Sequence, residues 1–389
     1  MPEQRFIIAV QGEGRGHLTQ AIAIIHLLQE QGHEVCGVIA GTNPHKPLPD
    51  FFLKAITAPL LQVQSPHFTM NQKGSAIHMP ATILHNLRRA GTYLDSLRKM
   101  RRFIEGHEPD IVINLYEPLV ALYTLSYFRN FEIIAIAHQY IYLHQDFHFP
   151  KGFTMQGAFL KYYTKFTAIG AKKIMALSMY ALNNQPNSKL QVTPPALRQN
   201  LLRKTPTVEP FILVYIINTH FMAEIIQWHK QHPQVKLVCF TDNRDVKERY
   251  KGTYKIDENL VFHSLHQEKF LDLMARCSAL VCTAGFESVC EALFLGKPVM
   301  LIPVEGHFEQ LCNARDTERI GAGFYSRHFN FDPEIIQSRI SAMNRNGFRS
   351  WAEQFPRHLQ SAINELPHLH AWNYANKKEK HNGQSYPTQ

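Results

Sequence analysis

A buried strand, a turn of small residues, a helix and a second buried strand follow one another near the C-terminal end of the chain. The apolar run 279–283 predicts the first strand, Ala284-Gly285 the turn and residues 286–295 the helix. A second apolar run follows at 298–303. Short, fully apolar strands that alternate with helices are typical of parallel sheets covered on both faces. The stretch therefore predicts an α/β fold.

The beginning of the chain shows the same order of elements. Residues 6–10 predict a strand, and the loop Gly12-x-Gly14-x-Gly16-His17 leads into a predicted helix from about residue 18 to 31. A dinucleotide-binding loop has the spacing G-x-G-x-x-G and an acidic residue after the second strand, and this chain has neither. NAD binding is therefore disfavoured, and the loop instead presents one titratable side chain, His17, at a helix start.

Further apolar runs extend both predicted sheets, and a segment rich in Asn, Pro and Thr separates them. We expect two doubly wound, Rossmann-like parallel-sheet domains with a cleft between them. The predicted boundaries are 1–184 for the first domain, 185–210 for the linker, 211–366 for the second domain with its closing helices, and 367–389 for a loose tail.

The net charge and the cysteine pattern indicate which partners and which cellular compartment to expect. The 389 residues carry a formal charge of +9, which favours anionic partners such as nucleotide diphosphates or an anionic membrane face; we expect no nucleic-acid partner. The six cysteines form no C-x-x-C pair and lie mostly in apolar runs, as in reduced cytosolic proteins. With no leader-like segment at the N-terminus, we expect a cytoplasmic protein. The basic helical stretch 83–105 would suit peripheral contact with the inner face of the cytoplasmic membrane.

Polar residues follow two of the predicted strands in the first half. Tyr116-Glu117 come after one strand and His138-Gln139-Tyr140 after the next. Because the carboxyl ends of parallel strands share one edge of a sheet, these residues should surround the same space as His17. His17, Glu117 and His138 are the three candidate general bases.

The chain resembles the inverting glycosyltransferases of the GT-B fold. It looks closest to glycosyltransferase family 28, the group of the N-acetylglucosaminyltransferase that makes lipid II, and is more distantly similar to the UDP-glucuronosyltransferases. Two motifs carry the resemblance: Gly12-x-Gly14-x-Gly16-His17, and the string Thr283-Ala284-Gly285-Phe286-Glu287-Ser288 with Glu291, Gly296-Lys297-Pro298 and Glu309-Gln310-x-x-Asn313.

The resemblance implies roles for individual residues. Glu291 would bind the ribose hydroxyls of a nucleotide sugar, Glu309 and Gln310 would bind the donor sugar, and His17 would lie near the reacting centre. No Asp-x-Asp motif is present, so we expect no metal and no cofactor. The other residues expected at the nucleotide and diphosphate are Gly14, Gly16, Thr219, His220, Leu265, His266, Thr283, Gly285, Phe286 and Ser288.

Two departures from the lipid II enzyme bear on the acceptor and the phosphates. The first loop has Glu13 and Arg15 where that enzyme has Thr and Gly, so we expect a different acceptor. The loop after the first strand of the second half reads Asn218-Thr219-His220 instead of a glycine-rich turn. The phosphate contacts of that loop should therefore differ as well.

The sequence thus predicts a metal-independent hexosyltransferase that moves a hexose or N-acetylhexosamine from a UDP-sugar to a hydroxyl acceptor, with inversion. A lipid-linked or cell-surface polysaccharide acceptor is one hypothesis. Two alternatives from other classes stay open: a UDP-sugar epimerase of the same fold, and a non-catalytic protein that binds sugar nucleotides.

Overall fold

The computed structural model describes residues 3–43, 47–67, 79–152, 154–185, 187–216, 220–334 and 345–366. Among these residues, no helix combines the length and the apolar character needed to cross a bilayer. The described chain forms two seven-stranded sheets, one in each half. All of the strand pairs are parallel except the one that joins the edge strand β10 (Thr253–Lys255) to its neighbour.

The first sheet has the order β3-β2-β1-β4-β5-β6-β7. Its chain order alternates strands with helices, as the apolar periodicity predicts. The elements are β1 (Arg5–Gln11), α1 (Arg15–Glu30), β2 (Glu34–Thr42), α2 (Asp50–Ala55), β3 (Leu60–Gln64), α3 (Met79–Arg88), α4 (Ala90–His107), β4 (Ile111–Leu115), α5 (Pro118–Ser126), β5 (Glu132–Ala137), a 3₁₀ helix (His138–Leu143), α6 (Thr154–Thr167), β6 (Lys173–Leu177), β7 (Leu190–Thr193) and α7 (Gln199–Leu202).

The second sheet has the order β10-β11-β9-β8-β12-β13-β14. The strand-turn-helix-strand stretch expected at 279–303 lies at its centre as β12, α11 and β13. The elements are β8 (Ile212–Tyr215), α8 (His220–Gln231), β9 (Leu237–Thr241), α9 (Arg244–Glu248), β10 (Thr253–Lys255), β11 (Leu260–Ser264), α10 (Gln267–Arg276), β12 (Ala279–Cys282), α11 (Phe286–Phe294), β13 (Val299–Leu301), α12 (Phe308–Arg319) and β14 (Gly323–Tyr325).

Two C-terminal helices, α13 (Arg345–Ala352) and α14 (Phe355–Asn364), return to the first half. The indole N–H of Trp351 donates to the carbonyl of Ser178 at 2.9 Å, and Glu365 pairs with Lys173. Residues 211–366 therefore contact both halves, although the sequence assigns them to the second domain alone.

The segment 185–210 differs in part from the predicted linker. Residues Leu190–Thr193 form β7, which pairs in parallel with β6 at the edge of the first sheet. The residues around β7 are rich in Asn, Pro and Thr, which is the composition of a loop. Only the pairing of β7 with β6 makes it a strand. The connection between the two sheets therefore begins after Thr193.

One hydrophobic cluster runs through both halves. It joins buried side chains of β1 and α1, such as Ile8 and Leu18, to those of α11, such as Val289. Leu359 of α14 belongs to the same cluster. Helices α1 and α11 both pack on this cluster, and their N-termini lie toward the gap between the sheets.

Candidate functional site

Two non-glycine residues with left-handed backbone mark the facing edges of the sheets. Tyr116 follows β4 with φ of 62°, and Ala284 follows β12 with φ of 55°. Such conformations cost about 1–3 kcal/mol and occur most often where a site requires them. The amide of Asn313 donates to the carbonyl of Ala284 at 3.1 Å and holds that turn. The strain indicates a site between these two edges.

His17 lies in the first turn of α1, where its imidazole is buried. Its Nε2 is 3.2 Å from the side-chain nitrogen of Gln139. Burial lowers the pKa of His17 from 6.5 to about 4, and the nearby charge of His138 acts in the same direction. The imidazole is therefore neutral over the ordinary pH range, as a general base must be.

A carboxylate of the second half reaches into the first half at this point. Glu309 Oε1, at the start of α12, is 3.1 Å from Nε2 of His138 and 3.4 Å from the amide nitrogen of Gln139. Burial alone would raise the pKa of Glu309, but hydrogen bonding to His138 and the charges of His138, His307 and His17 outweigh it and lower the pKa to about 2. Glu309 is thus an anion shared between the halves.

Four rings stand in a row across the gap, each close to parallel with the next. The ring of Tyr116 is 5.8 Å from that of His17 at an angle of 14°, and His17 is 6.4 Å from His138 at 23°. His138 stacks on Phe286, the first residue of α11, at 4.6 Å and 7°. The row connects the first-half candidate bases directly to the helix expected to bind the diphosphate.

The start of α11 faces the first half. Its N-cap is Gly285, which has no side chain to cap the first N–H groups of the helix. Glu287 accepts a 2.5 Å hydrogen bond from the side chain of Gln20, and a Cβ on Gly16 would lie 2.1 Å from the Glu287 carboxylate. Only glycine at position 16 permits this approach. Phe286 and Glu287 therefore pack against the first half at the helix start in this arrangement.

Glu291, the expected ribose ligand, lies in the second turn of α11 and is almost fully buried. It forms an ion pair with Arg198, whose Nη2 and Nε lie 2.5 and 2.6 Å from Oε1. Arg198 was not predicted from the sequence, because its segment has the composition of a linker. A usable signal was present, since Arg198 is the single charged residue between Lys189 and Arg203. The pair places a cation, Arg198, beside α11 of the second half.

Glu117 occupies a different environment from the two histidines. Its carboxylate is fully buried, accepts hydrogen bonds from Ser65 Oγ (2.5 Å) and the Leu119 N–H (2.9 Å), and caps α5. Burial raises the pKa of Glu117 to about 7. The hydrogen-bond partners of the Glu117 side chain, Ser65 and Leu119, both lie within the first half.

The remaining expected residues are distributed around the gap. Gln310 turns back to accept from the Val304 N–H at 2.9 Å, so it does not join Glu309. Ser288 donates to the Gly285 carbonyl at 3.1 Å. Gly14 is the N-cap of α1, His266 is the exposed N-cap of α10, Leu265 is partly buried beside it, and Thr283 is buried after β12. Thr219 lies outside the described residues, as does the side chain of His220.

Comparison with known proteins gives consistent matches along the whole chain. A model of the family described as glycosyl transferase family 1 matches residues 4–344. An uncharacterized glycosyltransferase of Methanosarcina acetivorans is 23% identical over 358 residues, which cover 86% of this chain and 87% of that protein.

Solved structures with a similar fold are glycosyltransferases as well. The kitacinnamycin glycotransferase superposes with a TM-score of 0.58 at 15% identity, covering 94% of this chain and 100% of that one. The calicheamicin glycosyltransferase CalG4 gives 0.56 at 15%, with both chains fully covered. MurG of Acinetobacter baumannii gives 0.54 at 17%, over 94% of this chain and 100% of that one. At these identities the likeness concerns the fold.

Proposed function

Because this chain belongs to glycosyl transferase family 1 and is a glycosyltransferase of the GT-B fold, we propose that it transfers a hexose or N-acetylhexosamine from a UDP-sugar to a hydroxyl acceptor with inversion. One observation carries the proposal above the others. A neutral buried imidazole, His17, at the start of α1 and a buried carboxylate, Glu291, in the second turn of α11 belong to the two halves that face each other.

The donor is proposed to bind the second half through Glu291 and the start of α11. A buried carboxylate can accept hydrogen bonds from both hydroxyls of a ribose. Arg198 now neutralises Glu291, and on donor binding its guanidinium would be free to contact the diphosphate. The N–H groups at the start of α11 would meet the same diphosphate, since a helix N-terminus favours anions. The negative charge that develops on the leaving group is thereby stabilised without a metal.

The acceptor hydroxyl is proposed to lose its proton to His17. Its oxygen forms a bond to the anomeric carbon while the bond from that carbon to the diphosphate oxygen breaks, and the electron pair stays on the leaving nucleotide. Gln139 contacts Nε2 of His17 at 3.2 Å and would hold the imidazole in place until the acceptor hydroxyl replaces it as the hydrogen-bond partner of that nitrogen. Glu309 and His138 border the same space, where Glu309 would also meet donor-sugar hydroxyls.

Separation of the halves is part of the proposal. Phe286 lies on His138 and Glu287 lies against Gly16, so the donor diphosphate can enter only after these contacts open. Hinge motions of this kind bring substrates into two-domain enzymes and exclude water on closure. The present arrangement would be the closed form without substrate.

Peripheral contact with an anionic membrane is proposed for α3 and α4. Leu84, Leu87 and Leu94 are 49%, 68% and 54% exposed on these helices. Arg88 and Arg89 lie between them in the sequence. Exposed leucines beside arginines suit the boundary between headgroups and acyl chains. This placement would give access to a lipid-linked or cell-surface polysaccharide acceptor.

A donor panel tests the proposal. The purified protein is incubated with UDP-, dTDP- and GDP-sugars, with and without hydroxyl acceptors, and release of the nucleoside diphosphate and the anomeric configuration of the product are followed by NMR. We expect release from a UDP-sugar and a product of inverted configuration. Conversion of the donor alone would indicate the epimerase, and retained configuration or the absence of any donor turnover would contradict the proposal.

A further inference from the structure

A cavity of about 360 Å³ lies at the opposite edge of the first sheet from the catalytic gap. Its basic lining residues are Arg129, Lys165, Lys172 and Lys189, and Leu143 and Ile174 supply apolar wall. Arg129, Lys172 and Lys189 precede β5, β6 and β7, whereas His138 follows β5. At about 3.3 Å per residue, the length of β5 alone separates the cavity from His138 by roughly 17 Å.

The lining carries four positive charges and no carboxylate. Arg129 Nη1 is buried and has no hydrogen-bond partner among the described residues. This atom does not itself face the cavity, but Arg129 is one of the lining residues and brings a permanent positive charge to it. Elsewhere along the same sheet edge, Lys173 is paired with Glu365. Lys165, Lys172 and Lys189 are exposed, and together with Arg129 they form a patch of positive charge that favours an anion.

Capping of α6 does not account for these cations. Lysines near a helix C-terminus often bond its last carbonyls, but the last four carbonyls of α6 already have partners inside the protein. The hydroxyl of Thr167 donates to the Thr164 carbonyl at 2.9 Å, and Asn114 donates to the Thr167 carbonyl at 2.9 Å. The carbonyls of Lys165 and Phe166 accept from the N–H groups of Ala168 and Ile169.

The backbone around the cavity is fixed by the fold. The N–H of Lys172 donates to the Ile133 carbonyl at 2.9 Å, and the carbonyl of Lys189 accepts from Ile174 at 2.8 Å. Gly170 has φ of 82°, and a Cβ there would lie 2.5 Å from Thr124 Cγ2. The backbone positions of Lys172 and Lys189 are thus fixed by strand pairing and by the tight turn at Gly170. The cavity is a built feature of the first half.

We propose that this cavity binds a phosphate group. Four cations without a carboxylate in the lining suit a multiply charged anion, and the planar guanidinium of Arg129 suits phosphate oxygens. The volume lies in the range of small-molecule sites. The phosphate can be inorganic or belong to a phospholipid headgroup. Phe128, the residue before Arg129, is fully exposed and would suit the acyl side of a headgroup.

Two variants of equal charge test the assignment. The first replaces the cavity lysines (Lys165→Gln, Lys172→Gln and Lys189→Gln), and the second replaces three exposed lysines of the second half (Lys230→Gln, Lys247→Gln and Lys255→Gln). Full-length proteins are titrated with inorganic phosphate by calorimetry and sedimented with vesicles of 30% phosphatidylglycerol in phosphatidylcholine. Transfer activity on soluble substrates is recorded in parallel, and we expect it to be unchanged in both.

We expect the cavity variant to bind either inorganic phosphate or the anionic vesicles at least about ten-fold more weakly than the matched variant does. Loss in the phosphate arm alone assigns free phosphate, and loss in the vesicle arm assigns a headgroup. Equal binding by the two variants in both arms overturns the site. Arg129→Gln, which keeps the lysines, should show the same loss, and its failure to do so also overturns the proposal. Because activity is read separately, these outcomes are distinguishable from failure of the proposed transfer reaction.

Discussion

The carboxylate of Glu309 and the imidazole of His138 meet at 3.1 Å across the gap between the two sheets. One belongs to the first turn of α12 and the other to the residue after β5. The contact therefore joins the second half to the first half at the facing sheet edges.

The pH profile of turnover should identify the base. His17 must be neutral to accept a proton, and burial lowers its pKa to about 4. We expect the rate to be steady from pH 8 down to about 5 and to fall as the pH approaches 4. If Glu117 is the base, its pKa of about 7 predicts a fall already below pH 7 that disappears in Glu117→Gln.

Substitution of His17 should slow the chemical step directly. His17→Ala is expected to lower kcat by about 10²–10⁴-fold, the usual contribution of a general base. His26→Ala on the same helix serves as control and should leave kcat within about two-fold. A loss of only a few-fold for His17→Ala would remove it as the base.

Glu309→Gln keeps the shape of the side chain and removes its charge. The pKa of Glu309 is lowered in the folded protein from 4.5 to about 2. Its stabilising contribution is therefore present above about pH 4.5 and is lost as the pH falls toward 2. We expect the variant to melt below the wild type at pH 6, with a difference that shrinks between pH 4.5 and 2. Glu318→Gln, in an exposed pair on the same helix, should change stability by less than about 0.5 kcal/mol.

Glu291→Gln should weaken donor binding. Charge-assisted hydrogen bonds contribute about 1.5–3 kcal/mol each, so the KM for the donor should rise at least about ten-fold with kcat little changed. The exposed Glu248→Gln in the same half provides the control. An unchanged KM for the donor in Glu291→Gln would contradict the ribose role.

Gly41 of β2 should not tolerate a side chain. A Cβ there would lie 1.8 Å from Glu117 Oε2 and 2.8 Å from Ser65 Cβ. Gly41→Ala is expected to destabilise the protein by about 1–3 kcal/mol, with part of the loss recovered in the double variant with Glu117→Ala. In contrast, Gly106→Ala in α4 meets nothing within 4 Å and should stabilise by about 0.5–1 kcal/mol. Thermal unfolding measures both.

The alternation of apolar runs, glycine turns and helical stretches was sufficient to predict the α/β fold, because each signal is local. The stretches around His17 and Phe286 follow β1 and β12, and their roles at a reaction site remain predictions. The two-domain boundaries remain a prediction, although β7 was missed because its composition resembles a loop.

The contacts between the halves could not be predicted from local patterns. The stacking of Phe286 on His138 and the pairing of Glu309 with His138 depend on how two separate sheets face each other, and no sequence periodicity encodes that. Arg198 was missed since its role comes entirely from a partner, Glu291, 93 residues away.

The return of α13 and α14 to the first half has a consequence for synthesis on the ribosome. Ser178 and Lys173 receive their partners Trp351 and Glu365 from nearly two hundred residues later in the chain. At the translation rates typical of cells, the first half waits about ten seconds or longer for this last cover. Until then Ser178 and Lys173 lack these partners, so the packing of the first half is completed only after the last helix has been made.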